Sequence, residues 1–198
     1  MNKYLSIIYD IASKNDGLLK TNEIEKMGIG RYNLKELVEE GLLIRESQGI
    51  YTVPDERPDE FFLIQSRSNK LFYSYGTALF LHGLSDRIPN KIDVSLPQGY
   101  NASRLKKSYP ALRVHYVKED ILEYETDVVV TPQGHKVRLY TRERCICEMI
   151  KKPTSVDKQI YIQAIRQYFS EPYLPGKLLK AARRFDVEKQ VWGYMEVL

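Results

Sequence analysis

The sequence has no apolar run approaching the roughly 20 residues that a membrane-spanning helix needs, and its 198 residues include only two cysteines. The first absence argues against a membrane protein. The second excludes a disulfide framework. Cys145 and Cys147 are one residue apart, and no nearby Cys or His completes a zinc site. They read as small apolar residues on a helix. Histidine is equally sparse: His82, His115 and His135 lack ligand spacing, and His82 falls on an apolar helical stretch as a hydrogen-bonded core residue. There is no Walker loop, no dinucleotide-binding glycine pattern and no nucleophile elbow. Nucleotidyl transfer needs a Gly-Ser turn and paired metal-binding carboxylates. Tyr75-Gly76-Thr77 with Asp93-Val94-Ser95 supplies one carboxylate where two are required. No catalytic residue, metal site or cofactor is therefore expected, and the protein reads as a non-enzyme. Met1-Asn2-Lys3-Tyr4 leads into an amphipathic pattern and not a signal peptide, which gives a cytoplasmic expectation.

What is present is a chain long enough for two small domains, with 43% hydrophobic residues to build their cores. Residues Thr21 to Pro54 carry its most legible pattern. A short helix from Thr21 through Ile24 and Met27 is broken by Gly28-Ile29-Gly30. A second helix runs from Arg31 to Glu40, with Leu34, Leu37 and Val38 forming one apolar stripe. Gly41 stands where a helix-ending glycine belongs. A hairpin follows, with Ile44-Arg45-Glu46, a turn at Ser47-Gln48-Gly49, and Ile50 to Val53. A preceding helix over 4–15 completes a winged helix-turn-helix.

In that geometry the second helix enters the DNA major groove by its N-terminal turns. Arg31, Tyr32, Asn33 and Lys35 lie off the apolar stripe and are candidate DNA contacts. Arg can pair with guanine and Asn with adenine. Arg45, Ser47 and Gln48 are the candidate wing contacts. Glu36, Glu39 and Glu40 would repel phosphate, so only the first turn or two suits the groove. The same module can instead serve as a protein-docking unit.

The expected architecture is α+β, with the winged helix-turn-helix over 1–56 and a mixed α/β domain ending in helices over 57–198. Asp55 to Glu60 is the expected joint. Beyond it the pattern gives a buried strand at Phe61-Phe62-Leu63-Ile64 and a helix from Tyr75 capped by Ser74. A half-buried strand follows over Lys91–Leu96, then strands at Leu112–Val117, Asp127–Val130 and Lys136–Tyr140. Thr141 caps a helix to Ile150, Thr154 with Asp157 opens another to Phe169, and the last helices span 177–185 and 187–197.

Charge is unevenly placed. Residues 1–56 hold seven basic and ten acidic residues, a net −3, whereas the remainder holds 23 and 16, a net +7. If DNA is the partner, the second domain must supply part of the phosphate neutralisation that dominates affinity. Lys177, Lys180 and Arg184 share one helical face with Arg183 beside them, and are the candidate phosphate contacts; the alternative is a solvated face. Arg104, Lys106 and Lys107 carry the same two readings.

The chain also resembles a known family. Leu34-x-x-Leu37-Val38-x-x-Gly41-Leu42-Leu43 and Gly49-Ile50-Tyr51-x-x-Pro54 resemble the N-terminal domain of AbiEi-type antitoxins. Thr77-Ala78-Leu79-x-Leu81-His82-Gly83-Leu84-x-Asp86-x-x-Pro89 resembles the start of that family's C-terminal domain. Arg144-x-x-Cys147-Glu148-Met149-Ile150 with Val156-Asp157 is similar to its later helical region. The resemblance implies a bacterial antitoxin of a type IV abortive-infection system directed against phage. It implies repression of its own operon by binding double-stranded DNA at inverted repeats in the promoter. It further implies a nucleotidyltransferase-like toxin as functional partner, without a stable complex, and a C-terminal domain that carries antitoxicity.

Overall fold

A computed structural model describes residues 3–15, 17–54 and 59–198. The chain forms two compact units: one from residues 1–67 with 131–135, the other from 68–130 with 136–198.

In the first unit, α1 (Leu5–Lys14) leads to β1 (Leu18–Lys20), α2 (Thr21–Lys26) and α3 (Arg31–Glu39), then β2 (Ile44–Ser47), β3 (Ile50–Thr52) and α4 (Glu60–Ser66). This is a winged helix-turn-helix, as the sequence predicts. Gly28, at φ +85°, makes the turn between α2 and α3 in backbone space that other residues rarely adopt. Ile29, between the two glycines, is fully buried. Alternation of polar and apolar positions turns Ile8, Ile11, Ile24, Leu34, Leu37 and Val53 into one core.

The wing has three strands in the order β1-β3-β2, both pairs antiparallel. The sequence reading lacks β1, which is three residues long and shows no period. β1 also moves the start of α2: Thr21 is already helical, and Glu23 accepts from the Lys20 backbone N–H at 3.4 Å.

The expected joint at Asp55 to Glu60 falls mostly outside the described residues. Phe61 to Ile64 is not the expected strand but part of helix α4. Asp59 caps it, accepting from Phe62 N at 3.0 Å. Four consecutive apolar residues fit either period, and the cap decides. Asp59 is fully buried; it also accepts from Thr131 Oγ1 and pairs with His135 Nδ1 at 3.2 Å.

The second unit is a mixed sheet of β4 (Phe72–Tyr73), β5 (Ile92–Pro97), β6 (Leu112–Val117), β7 (Thr126–Val130) and β8 (Lys136–Tyr140), in the order β6-β5-β4-β8-β7. β5 and β6 are parallel, as are β4 and β8; the other two pairs are antiparallel. Its helices are α5 (Tyr75–Leu81), α6 (Ser103–Ser108), α7 (Glu119–Leu122), α8 (Arg142–Lys151), α9 (Lys158–Ser170), α10 (Pro175–Phe185) and α11 (Glu188–Val197).

Helix α8 packs against α5, α9 and α10 and is buried from Arg144 to Ile150, Cys145 and Cys147 included. Thr141 caps it as expected, accepting from Arg144 N at 3.3 Å. Two details differ from the sequence reading. β5 is buried on both faces, because Asp93 and Ser95 also point inward. Asp157 alone caps α9, through Gln159 N at 2.8 Å, while Thr154 lies in a preceding 3-10 turn.

Candidate nucleic-acid interface

In the first unit the two elements expected to meet DNA border one groove. A cavity of about 580 Å³ lies between α3 and the wing, lined by Arg31, Leu34, Lys35 and Glu39 on one side and Arg45, Gln48 and Tyr51 on the other. Arg31, Tyr32 and Lys35 are exposed because Leu34 and Leu37 hold the opposite face of α3 in the core. Tyr32, 74% exposed, is a large ring held in solvent.

Each polar candidate on this helix has a partner. Arg31 Nε donates to Glu25 Oε1 at 2.8 Å, and Lys35 pairs with Glu39 at 3.4 Å. Asn33 Nδ2 donates to the Tyr4 hydroxyl at 2.8 Å. On the wing, Arg45 and Gln48 are exposed, whereas Ser47 is buried and its hydroxyl has no hydrogen-bond partner among the described residues. The backbone shifts register between Arg45 and Ser47 opposite β3, and that irregularity turns Ser47 inward. Thr21 and Glu25 belong to this surface although the sequence reading passes over them.

In the second unit Lys177, Lys180, Arg183 and Arg184 are all exposed on α10, with Leu178, Ala181 and Ala182 buried behind them. Three are paired. Lys180 meets Glu125 at 2.8 Å, Arg183 meets Glu188 at 2.9 Å, and Arg184 meets Asp120 at 3.0 Å. The hydrogen bond that Lys180 donates to Glu125 raises the Lys180 pKa. Lys177 has no ion-pair partner among the described residues. Arg104, Lys106 and Lys107 are exposed on α6, where Lys106 lies 6.0 Å from the Tyr116 ring.

The residues weighed for nucleotidyl transfer do come together. Thr77 Oγ1 accepts from Asp93 N at 2.8 Å. The Asp93 carboxylate, fully buried, binds Arg113 through both oxygens at 2.5 and 2.8 Å and His115 Nε2 at 2.7 Å. Its charge is thus compensated by protein groups. Among the described residues no cluster of three or more His, Cys, Asp or Glu is placed to hold a metal ion. Nor is any described helix long and apolar enough to cross a membrane.

Residues 6–54 match the profile of a family described as transcriptional regulator, AbiEi antitoxin. The match covers the winged helix-turn-helix and agrees there with the resemblance to AbiEi-type antitoxins. No curated protein matches the chain in sequence. In structure it is similar to the RV2827C protein from Mycobacterium tuberculosis, with a TM-score of 0.55 and 13% identity over 99% of this chain and 82% of that one. At that identity the likeness concerns the fold alone.

Proposed function

We propose that the protein is a DNA-binding antitoxin that represses its own promoter at inverted repeats and counteracts a nucleotidyltransferase-like toxin without a stable complex. It acts in the cytoplasm by binding and not by catalysis. The observation that carries this reading is the shared groove of α3 and the wing, with Arg31, Tyr32, Lys35, Arg45 and Gln48 at its rim. A duplex seated there places the first turn of α3 at the base edges and the wing on the flanking backbone. Asn33 supports the helix through Tyr4, and Ser47 shapes the wing from inside.

The first unit's acidic balance leaves phosphate neutralisation to the second. On α10, Lys177 is free to contribute directly, while Lys180, Arg183 and Arg184 exchange carboxylate partners for phosphate. Such exchange is feasible because ion pairs at the protein surface are weak. The test is a gel-shift titration of the full chain on its own upstream DNA against random DNA at two salt concentrations. Selective binding that weakens steeply with salt supports the repressor; equal affinity for both probes removes it.

A second reading is a protein-docking module that neutralises a toxin by contact. It is favoured by Tyr32, Met27 and Ile44, all large apolar groups at least 44% exposed on the first unit. Co-elution of a stable toxin complex in high salt selects this reading.

A further inference from the structure

A second concave surface lies in the sheet unit and is unrelated to the α3 groove. A cavity of about 590 Å³ is lined by the loop from Arg87 to Lys91, by Gly76, Asp93 and Arg113, and by Thr154, Val156, Asp157 and Ile160. Three cations face it. Arg87 and Lys91 are exposed and have no ion-pair partner among the described residues.

Arg113 is different because its orientation is fixed. Nε donates to Asp93 Oδ1 at 2.5 Å, and Nη2 donates to Asp93 Oδ2 at 2.8 Å and to the Ser155 carbonyl at 2.7 Å. A guanidinium has five N–H donors. These contacts use three of them and leave the two on Nη1 without a partner among the described residues, on a side chain 42% exposed. Asp93 itself is buried and cannot move away.

The floor is built to this arrangement. A Cβ added to Gly76 would stand 3.2 Å from Asp93 Oδ2 and 3.7 Å from Pro89 Cβ, so only glycine keeps that close approach without displacement. The two carboxylates do not cancel the cations. Asp93 is already compensated by Arg113 and hydrogen-bonded to His115, and Asp157 caps α9 through Gln159 N. With three cations against two carboxylates, the cavity carries a net positive charge.

We propose that this cavity binds a small phosphate-bearing molecule of nucleotide size, with phosphoryl oxygens on Arg113 Nη1, Arg87 and Lys91. A planar guanidinium held in place by a buried carboxylate is preorganised for such an oxyanion, since no rotamer freedom remains to be lost on binding. The concave shape and the apolar walls at Pro89, Val156 and Ile160 suit a small ligand better than a duplex backbone, which is met by cations along an open face. The proposal stands independently of the DNA-binding reading.

The experiment is isothermal titration of the full chain with pyrophosphate and with ATP at low salt. The expected result is saturable one-site binding of at least one probe. The double variant R87A/K91A, which changes exposed side chains and leaves the Asp93–Arg113 pair in place, should bind roughly tenfold or more weakly. K107A, an exposed cation on α6, should bind as the parent does, and thermal melts of both variants should match the parent. No saturable binding of either probe overturns the proposal, as does unchanged affinity in R87A/K91A or an equal loss in K107A. If R87A/K91A instead weakens only random-DNA binding, these cations serve the duplex and the proposal fails.

Discussion

Asn33 Nδ2 donates to the Tyr4 hydroxyl at 2.8 Å, joining the first turn of α3 to the residue that precedes α1. An asparagine that reads adenine needs both its amide N–H and its carbonyl directed at the base. Here one of the two amide N–H donors is engaged inside the fold, which turns the amide toward Tyr4. Asn33→Ala should therefore lower stability by about 1 kcal/mol, the net worth of one such bond. Its preference for promoter over random DNA should change little. Chemical denaturation beside a gel shift separates the two effects; lost preference at unchanged stability would make Asn33 a base reader.

Arg31 is held by a carboxylate from the preceding helix, Glu25, at 2.8 Å, with the arginine side chain 83% exposed. Arg31→Ala should cost about 1–3 kcal/mol on the promoter and little on random DNA. Glu25→Gln removes the competing charge and should tighten promoter binding. A weaker promoter complex for Glu25→Gln would mean that the ion pair orients Arg31 for recognition.

On α10, pairing separates the four cations. Lys177→Ala should flatten the salt dependence of binding by roughly one ion's worth. Glu125→Gln, which releases Lys180, should strengthen binding at low salt. If neither substitution moves the salt slope, α10 is a solvated face and the duplex lies elsewhere.

The stripe on α10 was legible because Lys177, Lys180 and Arg184 repeat at helical spacing, and the structure keeps them on one exposed face. Their partners were not legible: Glu125 and Asp120 are more than fifty residues away in sequence, and only the fold brings them near. The same contrast holds elsewhere. Helix α3 and the hairpin were readable from period and glycine punctuation. β1 and β4, at three and two residues, are too short to show a period. Asp93 and Ser95 alternate with apolar residues and so look like a solvent face. Asp93 is buried because Arg113 and His115 on the neighbouring strand satisfy it. Binary pattern cannot reveal a buried polar residue whose partners come from another strand.

Arg144 shows the energetic side of that point. It is fully buried, donates from Nε to Glu148 Oε1 at 3.0 Å, and ties down the Ile121 and Tyr124 carbonyls at the end of α7. Its guanidinium also lies over the Tyr140 ring. Burial raises the Glu148 pKa, and Arg144 opposes that rise. Arg144→Met should destabilise by about 3–5 kcal/mol, because it leaves a buried carboxylate unpaired. Arg144→Met with Glu148→Leu should recover part of the loss, measured by urea unfolding. A double variant as unstable as the single would place the loss in the freed carbonyls and not in the unpaired charge.

His82 gives the pH dependence. It follows α5, and Nε2 donates to the Tyr140 carbonyl at 2.7 Å. Burial lowers its pKa, and the hydrogen bond to Tyr140 only partly offsets this. The folded state therefore binds the His82 proton less readily than the unfolded chain does. Stability from this group is fully present above the ordinary histidine pKa of about 6.5 and is lost as pH falls through the lower folded value. His82→Gln keeps a donor for the carbonyl and removes the titration. The parent should lose more melting temperature between pH 7.5 and about 5.5 than the variant does. Equal losses would assign the acid sensitivity to other groups and leave His82 with only its role in holding the end of β8 to α5.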